Sequence, residues 1–492
     1  MPSKMYLGLL ASVLVLPALG QSNSTGLDAY LEAEEPIAIA GVLANIGSSG
    51  SKVEGAADGI VVASPSKSDP DYFYTWTRDA SLTFKAIIER FIDTGDAELE
   101  TLIRSFITGQ AALQGVENPS GGLATGGLAE PKFHVDMSAF TEAWGRPQRD
   151  GPALRATAGV AYARYLLEKG DTANVKDIIW PVVNNDLSYV SEYWSQQGFD
   201  LWEEVQGISF FTLISQHRAL VEGSALAAEI GLDCPNCDSQ APQIRCKIQS
   251  LWQDEGFMLS DVANNGRTGK GTNTVIASIH SFDPAAGCDD ATFQPCSSKA
   301  LSNLKLVVDS FRTYEINSGI PEGEAVALGR YIEDVYMGGH PWYLTTTAAA
   351  EQLYYAVATW TKVGSITIDD VSLAFFKDVY ADAAAGDYAA DSEEFTAITT
   401  AVTALADGFL AVVMEYTPED GSLAEQFGKS DGKPLSAKDL TWSYAALLTA
   451  KAARDGKLPA SWGADKATDV PTACEDSSAT GAYATATNTA WA

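Results

Sequence analysis

Carboxylates that stand beside tryptophans and arginines form the part of this sequence that could carry chemistry. They occur in five loops, at residues 72–79, 144–152, 200–204, 330–336 and 425–426. Tryptophan faces stack on the apolar faces of sugar rings, while Asp and Arg side chains hydrogen-bond hydroxyl groups. Hydrolysis of a glycosidic bond needs two carboxyl groups, one protonated and one ionised. Residue types and loop placement therefore indicate a carbohydrate site.

Other common kinds of site lack support in the sequence. There is no phosphate-binding glycine loop, no Gly-x-Ser-x-Gly elbow and no His-Glu-x-x-His motif. The four histidines show no metal-ligand spacing, so we expect neither a metal nor a cofactor. Glu203 and Glu204 would ordinarily be solvated at a helix start, but apolar pairs at 201–202 and 210–211 flank them. The apolar neighbours therefore argue against a fully solvated run of charges in this loop.

Helical periodicity dominates the elements that must position these loops. Apolar residues recur at steps of three and four over 82–106, 155–167, 210–230, 301–311, 345–360, 371–380, 395–414 and 440–452. Residues 367–370 and 436–439 have the pattern of capping boxes and predict the start of two helices. Strand patterns are few, and no linker divides the middle of the chain. The sequence predicts a single all-α domain that carries its chemistry on long loops, such as 117–152 and 329–343.

The charge balance argues against several kinds of partner. Among the 492 residues, 32 Lys and Arg oppose 64 Asp and Glu, a formal net charge of −32. A surface this acidic repels phosphate backbones and anionic lipids, so we expect no nucleic acid and no membrane partner. Beyond the N-terminal segment, no stretch is expected to span a bilayer. We expect a monomer that acts on a neutral or cationic partner.

The N-terminus and the cysteines indicate an oxidising, extracellular compartment. Residues 1–20 read as a signal peptide, with Lys4, an apolar run over 6–16 and small residues at 18–20. The six cysteines are even in number and allow fifteen disulfide pairings, among which the sequence does not choose. A zinc or redox role for the Cys-Pro-Asn-Cys motif at 234–237 is the less favoured alternative. Asn23 lies in an N-glycosylation sequon.

Several long motifs resemble those of the fungal glucoamylases, which are inverting, exo-acting glucan 1,4-α-glucosidases. The matching stretches are 59–65, 72–79, 144–155, 201–205, 216–223, 330–342 and 439–446, within a resemblance that runs from about 27 to 474. The resemblance implies an (α/α)6 toroid of six outer and six inner helices, with the site in loops at one end. It further implies release of β-D-glucose from non-reducing ends of starch, dextrins and malto-oligosaccharides. Cleavage of α-1,4 bonds would be faster than cleavage of α-1,6 bonds, and no cofactor is implied.

The resemblance also implies roles for individual residues. Glu203 would be the general acid and Glu425 the general base, while Asp200 is a rival base that we rank as a supporting carboxylate. The substrate-binding residues would be Tyr72, Trp76, Arg78, Asp79, Trp144, Leu201, Trp202, Glu204, Arg330, Tyr336, Trp342, Gln426, Ser436 and Trp442. The implied disulfides are Cys234–Cys237, Cys246–Cys474 and Cys288–Cys296.

The resemblance divides the chain into a signal peptide (1–20), a catalytic domain (21–474) and a Ser/Thr/Ala-rich tail (475–492). We expect a disordered end for this tail rather than an O-glycosylated stub, and no starch-binding domain. His340 and Ile332 depart from the pattern, which leaves the preference at distal subsites open. Two alternatives remain. One is a related (α/α)6 hydrolase acting on isomaltose, dextran or trehalose, and the other is a catalytically inactive glycan-binding protein.

Overall fold

The computed structural model describes residues 20–263 and 266–491, with side chains from residue 26 onward. Residues 1–19 of the expected signal peptide and the side chain of Asn23 lie outside this part of the chain.

The helices are α1 (Gly20–Ala44), α2 (Thr77–Thr94), α3 (Ala97–Gln114), α4 (Asp150–Glu168), α5 (Thr172–Asn174), α6 (Trp180–Tyr193), α7 (Phe210–Glu229), α8 (Pro235–Gln249), α9 (Asn273–His280), α10 (Ser298–Ser310), α11 (Tyr343–Val363), α12 (Leu373–Val379), α13 (Glu393–Tyr416) and α14 (Thr441–Arg454).

Short antiparallel ribbons connect the helices. The strands are β1 (Tyr74–Trp76), β2 (Lys132–His134), β3 (Gly198–Phe199), β4 (Gln206–Gly207), β5 (Trp252–Gln253), β6 (Phe257–Met258), β7 (Ser365–Ile368), β8 (Gly386–Ala389), β9 (Gln426–Phe427) and β10 (Pro434–Leu435). They pair two by two, as β1–β2, β3–β4, β5–β6, β7–β8 and β9–β10.

The helices form two concentric rings. The helices α2, α4, α7, α9, α11 and α14 each contact the next in that order, and α14 contacts α2 and closes the ring. Around them lie α1, α3, α6, α8, α10 and α13, which alternate with the inner helices along the chain. This is the (α/α)6 barrel that the resemblance implied.

Burial explains which helices form the inner ring. In α4, α7 and α11 the first three turns are buried on every side, including residues 150–160, 210–220 and 343–356. A helix that is covered all round must lie inside a protein. In α13, by contrast, the buried residues recur at steps of three and four along a single stripe.

The structure corrects one predicted helix and two predicted helix starts. The predicted helix 82–106 is two helices, because Gly95 adopts a left-handed φ of 67° and the side chain of Asp96 accepts the N–H of Glu98 to start α3. Neither predicted capping box starts a helix. Thr367 lies in strand β7, and the Ser436 hydroxyl donates to Glu425 instead.

Helix α13 also corrects the expectation that no later stretch could span a bilayer. Its 24 residues are long and apolar enough to do so by length and composition alone. In the structure it is an outer helix of the barrel, where its apolar stripe contacts α11 and α1. This packing accounts for the buried stripe, which makes up 33% of the most apolar window of the helix.

The three implied disulfides, Cys234–Cys237, Cys246–Cys474 and Cys288–Cys296, are present. Beyond Cys474 the chain differs from the expected disordered end. The backbone of Ala482 and Ala484 hydrogen-bonds to Ser188 and Asn185 on α6, at distances of 2.9–3.1 Å. Farther along, the ring of Trp491 packs against Tyr162. The tail is therefore ordered against the outer surface of the barrel.

Glu351, inside the barrel on α11, is expected to make the free energy of unfolding depend on pH. It is 3% exposed, and burial raises the pKa of its carboxyl to about 7, although Thr449 donates to it over 2.7 Å. A raised folded-state pKa means that the native protein binds the proton more tightly than the unfolded chain does. The stabilisation is complete below the unfolded pKa of 4.5 and is lost as the pH rises through 7.

We expect Glu351→Gln to remove up to about 3 kcal/mol of this pH dependence. Relative to the wild type, the variant should gain unfolding free energy between pH 4.5 and pH 8, as measured by urea unfolding. The exposed Glu32→Gln, on α1, is the control and should follow the wild type at both pH values. A Glu351→Gln variant whose difference from the wild type is the same at both pH values would contradict the prediction.

Candidate active site

Six connections that lead from an outer to an inner helix meet at one end of the barrel. Each ends at the N-terminus of an inner helix, where unpaired N–H groups and the helix dipole favour negative charge. Side chains from all six connections contact one another. Trp76 and Gln148 bind Glu203, Arg267 and Arg330 bind Glu204, and Tyr72 binds Glu425. The fold thus gathers carboxylates that are far apart in the sequence.

A pocket among these connections contains both glutamates of the predicted acid–base pair. Its lining residues are Ala63, Tyr72, Trp76, Arg78, Asp79, Leu201, Trp202, Glu203, Trp342, Glu425, Leu440 and Trp442. The rings of Trp202 and Trp342 contact each other in its wall, with centroids 5.5 Å apart. Their indole N–H groups are buried and donate to no acceptor in the described part of the chain, so they can bind hydroxyl groups of a ligand.

Glu203 is held by three N–H donors near the mouth of the pocket. One carboxylate oxygen accepts from Trp76 over 2.6 Å and from Gln148 over 2.9 Å. The other oxygen accepts from the indole of Trp144 over 2.9 Å. The guanidinium of Arg78 lies 3.5 Å from this carboxylate. The Glu203 side chain is 19% exposed, and its neighbour Trp144 is among the exposed large apolar residues.

Asp200 shapes the loop that presents Glu203. Its carboxylate accepts the backbone N–H groups of Glu204 and Val205, both over 2.8 Å, and that of Trp202 over 3.3 Å. Glu203 has a left-handed φ of 66°, which is unfavourable for a residue with a side chain and persists only where its surroundings impose it. The ribbon β3–β4 closes the loop on either side. Asp200 lies behind the loop and does not line the pocket.

Glu425 lies deeper in the protein and is fully buried. Ser436 and Gln426 both donate to the same oxygen of its carboxylate, the latter over 3.1 Å. Burial raises the pKa of Glu425 to about 7, against the opposing effect of the hydrogen bonds from Ser436 and Tyr72. The two glutamates therefore differ in environment: one is partly open and held by N–H groups, and the other is enclosed.

Arg78 and Asp79 form the first turn of α2 beside this pair. The guanidinium of Arg78 donates to Gln148 over 2.8 Å and to Asp150 over 3.0 Å. Burial raises the pKa of Asp79 to about 6, although the charge of Arg78 opposes it. Both residues are less than 10% exposed. They offer a fixed, charged hydrogen-bonding surface at the bottom of the pocket.

The Glu204 side chain points away from Glu203 and contacts a second cluster of charged side chains. It accepts from Arg330 over 2.7 Å, from Arg267 over 2.9 Å and from the hydroxyl of Tyr331. Burial alone would raise the pKa of Glu204, but the charge of Arg330 and the bond from Tyr331 lower it. Arg330 is itself fixed by Asp334 on two nitrogens, over 2.6 and 2.8 Å. Two arginines thus neutralise the carboxylate next to Glu203.

The sequence-predicted residues are brought together with one exception. Ten of them line the pocket: Tyr72, Trp76, Arg78, Asp79, Leu201, Trp202, Glu203, Trp342, Glu425 and Trp442. Trp144, Glu204, Arg330, Tyr336, Gln426 and Ser436 lie around it, and each bonds to a pocket residue or to one of the others. Asp200 is the exception, since in the described part of the chain its carboxylate contacts the site only through backbone N–H groups, those of Trp202, Glu204 and Val205.

Sequence reasoning missed several members of the site. Gln148 and Asp150 lie in the motif 144–155, and Tyr331 and Asp334 lie in 330–342, so the motifs contained them without marking their roles. Arg267 gave no signal in the sequence. Its contact with Glu204 depends on the connection that leads to α9, which sequence motifs did not mark.

Comparison with known proteins agrees with this geometry. Residues 36–452 match the family described as glycosyl hydrolases family 15. The chain is 55% identical to a glucoamylase of Neurospora crassa over 94% of its length and 74% of that protein's. It is 52% identical to glucoamylase-1 of Schizophyllum commune, over 94% of this chain and 80% of the relative.

A solved structure shares the fold at similar identity. The family 15 glucoamylase from Hypocrea jecorina has a TM-score of 0.93 and 53% identity, over 95% of this chain and 78% of that one. A match over most of the chain, in both sequence and structure, together with a pocket that contains two glutamates at one end of an (α/α)6 barrel, places the protein within a family: the chain belongs to glycosyl hydrolase family 15.

Proposed function

We propose that this chain is an exo-acting, inverting glucoamylase that releases β-D-glucose from the non-reducing ends of starch and malto-oligosaccharides. The observation that carries the proposal is the pairing of Glu203 and Glu425 in one aromatic pocket whose bottom is made of buried charged groups. The names of the relatives, which are glucoamylases, support it. A pocket that is closed at the bottom accepts only a chain end, which accounts for exo action.

The positions of the two glutamates support a separate role for each. Because the chain leaves through the mouth, the leaving oxygen must lie on the open side, next to Glu203 and Trp144. Glu203 would give its proton to this oxygen as the C1–O bond breaks. Glu425, on the closed side, would take a proton from a water molecule that attacks C1 from the opposite face, which inverts the configuration.

Burial by itself would favour the reverse assignment, with Glu425 as the general acid and Glu203 as the general base. A pKa of about 7 suits a proton donor at acidic pH, and Glu425 is the carboxyl with this property. We assign it the base role because a group 0% exposed at the closed side cannot reach an oxygen that leaves through the mouth. Solvent proton exchange then returns both groups to their starting forms after each turnover.

The charged groups around the pair would bind the sugars. Arg78, Asp79 and Arg330 would hold hydroxyls of the terminal glucose, and Glu204 and Trp144 would contact the next unit. Tyr72, Gln426 and Ser436 would position Glu425 and the attacking water. Asp200 would act only through the backbone that it holds, as a positioning residue. No step in this mechanism requires a cofactor.

We further propose that the protein is secreted and acts as a monomer without nucleic acid or membrane partners. The support is the signal-like N-terminus at residues 1–20, the sequon at Asn23 and the net charge of −32. We also propose the domain limits expected from the sequence, with the catalytic part at 21–474; the support is that the last ring helix ends at Arg454, inside this range.

Proton NMR of the sugar released from maltotetraose tests the reaction. Fresh β-glucose is expected in the first minutes, before mutarotation, with maltotriose as the only other product at low conversion. Release of α-glucose would mean retention and would contradict the role of Glu425. Release of maltose would contradict exo attack by single units. Glucose formed only from isomaltose or trehalose would keep the fold and change the substrate.

A further inference from the structure

Lys132 lies in a cage of aromatic rings directly behind the site. It stands on strand β2, opposite Trp76 on β1, and is 1% exposed. Its ammonium nitrogen lies 3.3 Å from the ring centroid of Trp144, 4.2 Å from that of Phe140, 4.3 Å from that of Tyr74 and 4.7 Å from that of Trp76. Ring faces attract a cation through their quadrupoles, most strongly when the cation has lost its water.

This cation has no direct ionic partner. In the described part of the chain no carboxylate lies within 4.0 Å of the Lys132 ammonium, which is unusual for a buried lysine. Burial lowers the pKa of Lys132 to about 8, while the more distant charges of Glu203, Asp71 and Glu142 oppose that effect and Arg146 adds to it. The ammonium therefore stays charged throughout the acidic and neutral range.

The cage connects Lys132 to one carboxylate of the proposed mechanism. Trp76 and Trp144, which the ammonium contacts by their faces, are the two indoles whose N–H groups donate to Glu203, over 2.6 and 2.9 Å. A cation on the face of an indole fixes the ring and draws electron density from its N–H, which becomes a stronger donor. The other charged groups that face Glu203 are Arg78 and Asp79.

We propose that Lys132 is a positioning residue for Glu203, acting through the indoles of Trp76 and Trp144 and through its own charge. It orients the two indole N–H groups that hold the Glu203 carboxyl beside the leaving oxygen. Proton donation by Glu203 therefore depends on the Lys132 charge, whereas cleavage of a bond whose leaving group needs no proton depends on it much less. The inference rests on the proposed function, since it presumes that Glu203 is the general acid.

The test compares kcat/KM on maltotetraose and on α-glucosyl fluoride for Lys132→Met, Lys132→Gln and Lys132→Arg. In the Met and Gln variants the activity on maltotetraose should fall about tenfold, because the indoles that hold Glu203 lose their anchor. Fluoride leaves without full protonation, so their activity on α-glucosyl fluoride should fall less than about twofold. Lys132→Arg, which keeps the charge, should keep the wild-type rates on both substrates.

Lys67→Met is the matched control, because the exposed Lys67 lies 4.0 Å from the ring centroid of Phe73 and does not contact Glu203. It should leave the rates on both substrates unchanged. Neutral variants that fold, by circular dichroism, and lose activity on both substrates equally, or on neither, would overturn the proposal. The use of two neutral side chains of different polarity guards against a folding defect in one of them. Should Glu203→Gln retain full activity, the proposed function fails instead, so the two failures are distinguishable.

Discussion

Replacement of Glu203 by glutamine is expected to lower kcat for maltotetraose about 10³-fold, with KM changed only a few-fold. The amide keeps the shape of the side chain and can still accept from Trp76, but it has no proton to give to the leaving oxygen. Initial rates of glucose release over a range of maltotetraose concentrations measure both constants. Glu98→Gln, on the exposed face of α3, is the control and should retain wild-type rates.

A substrate with a good leaving group makes this prediction specific for proton donation. Fluoride leaves without full protonation, so Glu203→Gln should hydrolyse α-glucosyl fluoride within about tenfold of the wild-type rate. An equal loss on both substrates would mean that the substitution damaged the pocket as a whole. Full activity on maltotetraose would exclude Glu203 as the general acid.

Replacement of Glu425 by alanine is the second large effect, with an expected loss of about 10²–10⁴ in kcat on both maltotetraose and α-glucosyl fluoride. Without this carboxylate no group at the closed side of the pocket takes the proton of the attacking water. The loss does not depend on the leaving group, and this distinguishes it from the loss in Glu203→Gln. Steady-state kinetics on both substrates measure it.

Azide separates the base role from a structural one. An anion needs no deprotonation, so sodium azide should restore turnover of α-glucosyl fluoride by Glu425→Ala, with β-glucosyl azide and fluoride as products. The rescue needs the space that alanine leaves, so Glu425→Gln should respond much less to azide. Rescue of Glu203→Ala in place of Glu425→Ala would reverse the two roles, which is the assignment that burial alone favours for Glu425.

Much of the site could be predicted from the sequence because its members come in contiguous motifs. The segment 200–205 contains the proposed acid, the aspartate that folds the loop and a carboxylate that binds Arg330. Each loop ends where an inner helix begins, so the positions of the helices indicate which loops meet. Most of this helical framework could be predicted from the sequence because apolar residues recur strongly at helical spacing in the barrel helices.

The features of the fold and site that could not be predicted depend on competition between local and distant contacts. A sequence motif does not reveal this competition. Thr367 has the sequence of a helix cap, but its hydroxyl bonds to Asp387 across the ribbon β7–β8 over 2.7 Å, and strand pairing prevails. Ser436 likewise donates to Glu425 instead of capping a helix. Lys132 gave no signal, since the strand register alone brings it opposite Trp76. In each case the deciding partner lies elsewhere in the chain.

The assembly of the pocket from six separate helix-to-helix connections makes this enzyme modular. Each connection is attached at both ends to helices that the barrel holds in place, so one loop can be exchanged while the ends of the other five stay in position. The two proposed catalytic carboxylates, Glu203 and Glu425, lie in the loops before α7 and α14, whereas Trp144, which is proposed to contact the next sugar unit, lies in the loop before α4. Specificity can therefore diverge, in nature or by engineering, one loop at a time around a conserved reaction.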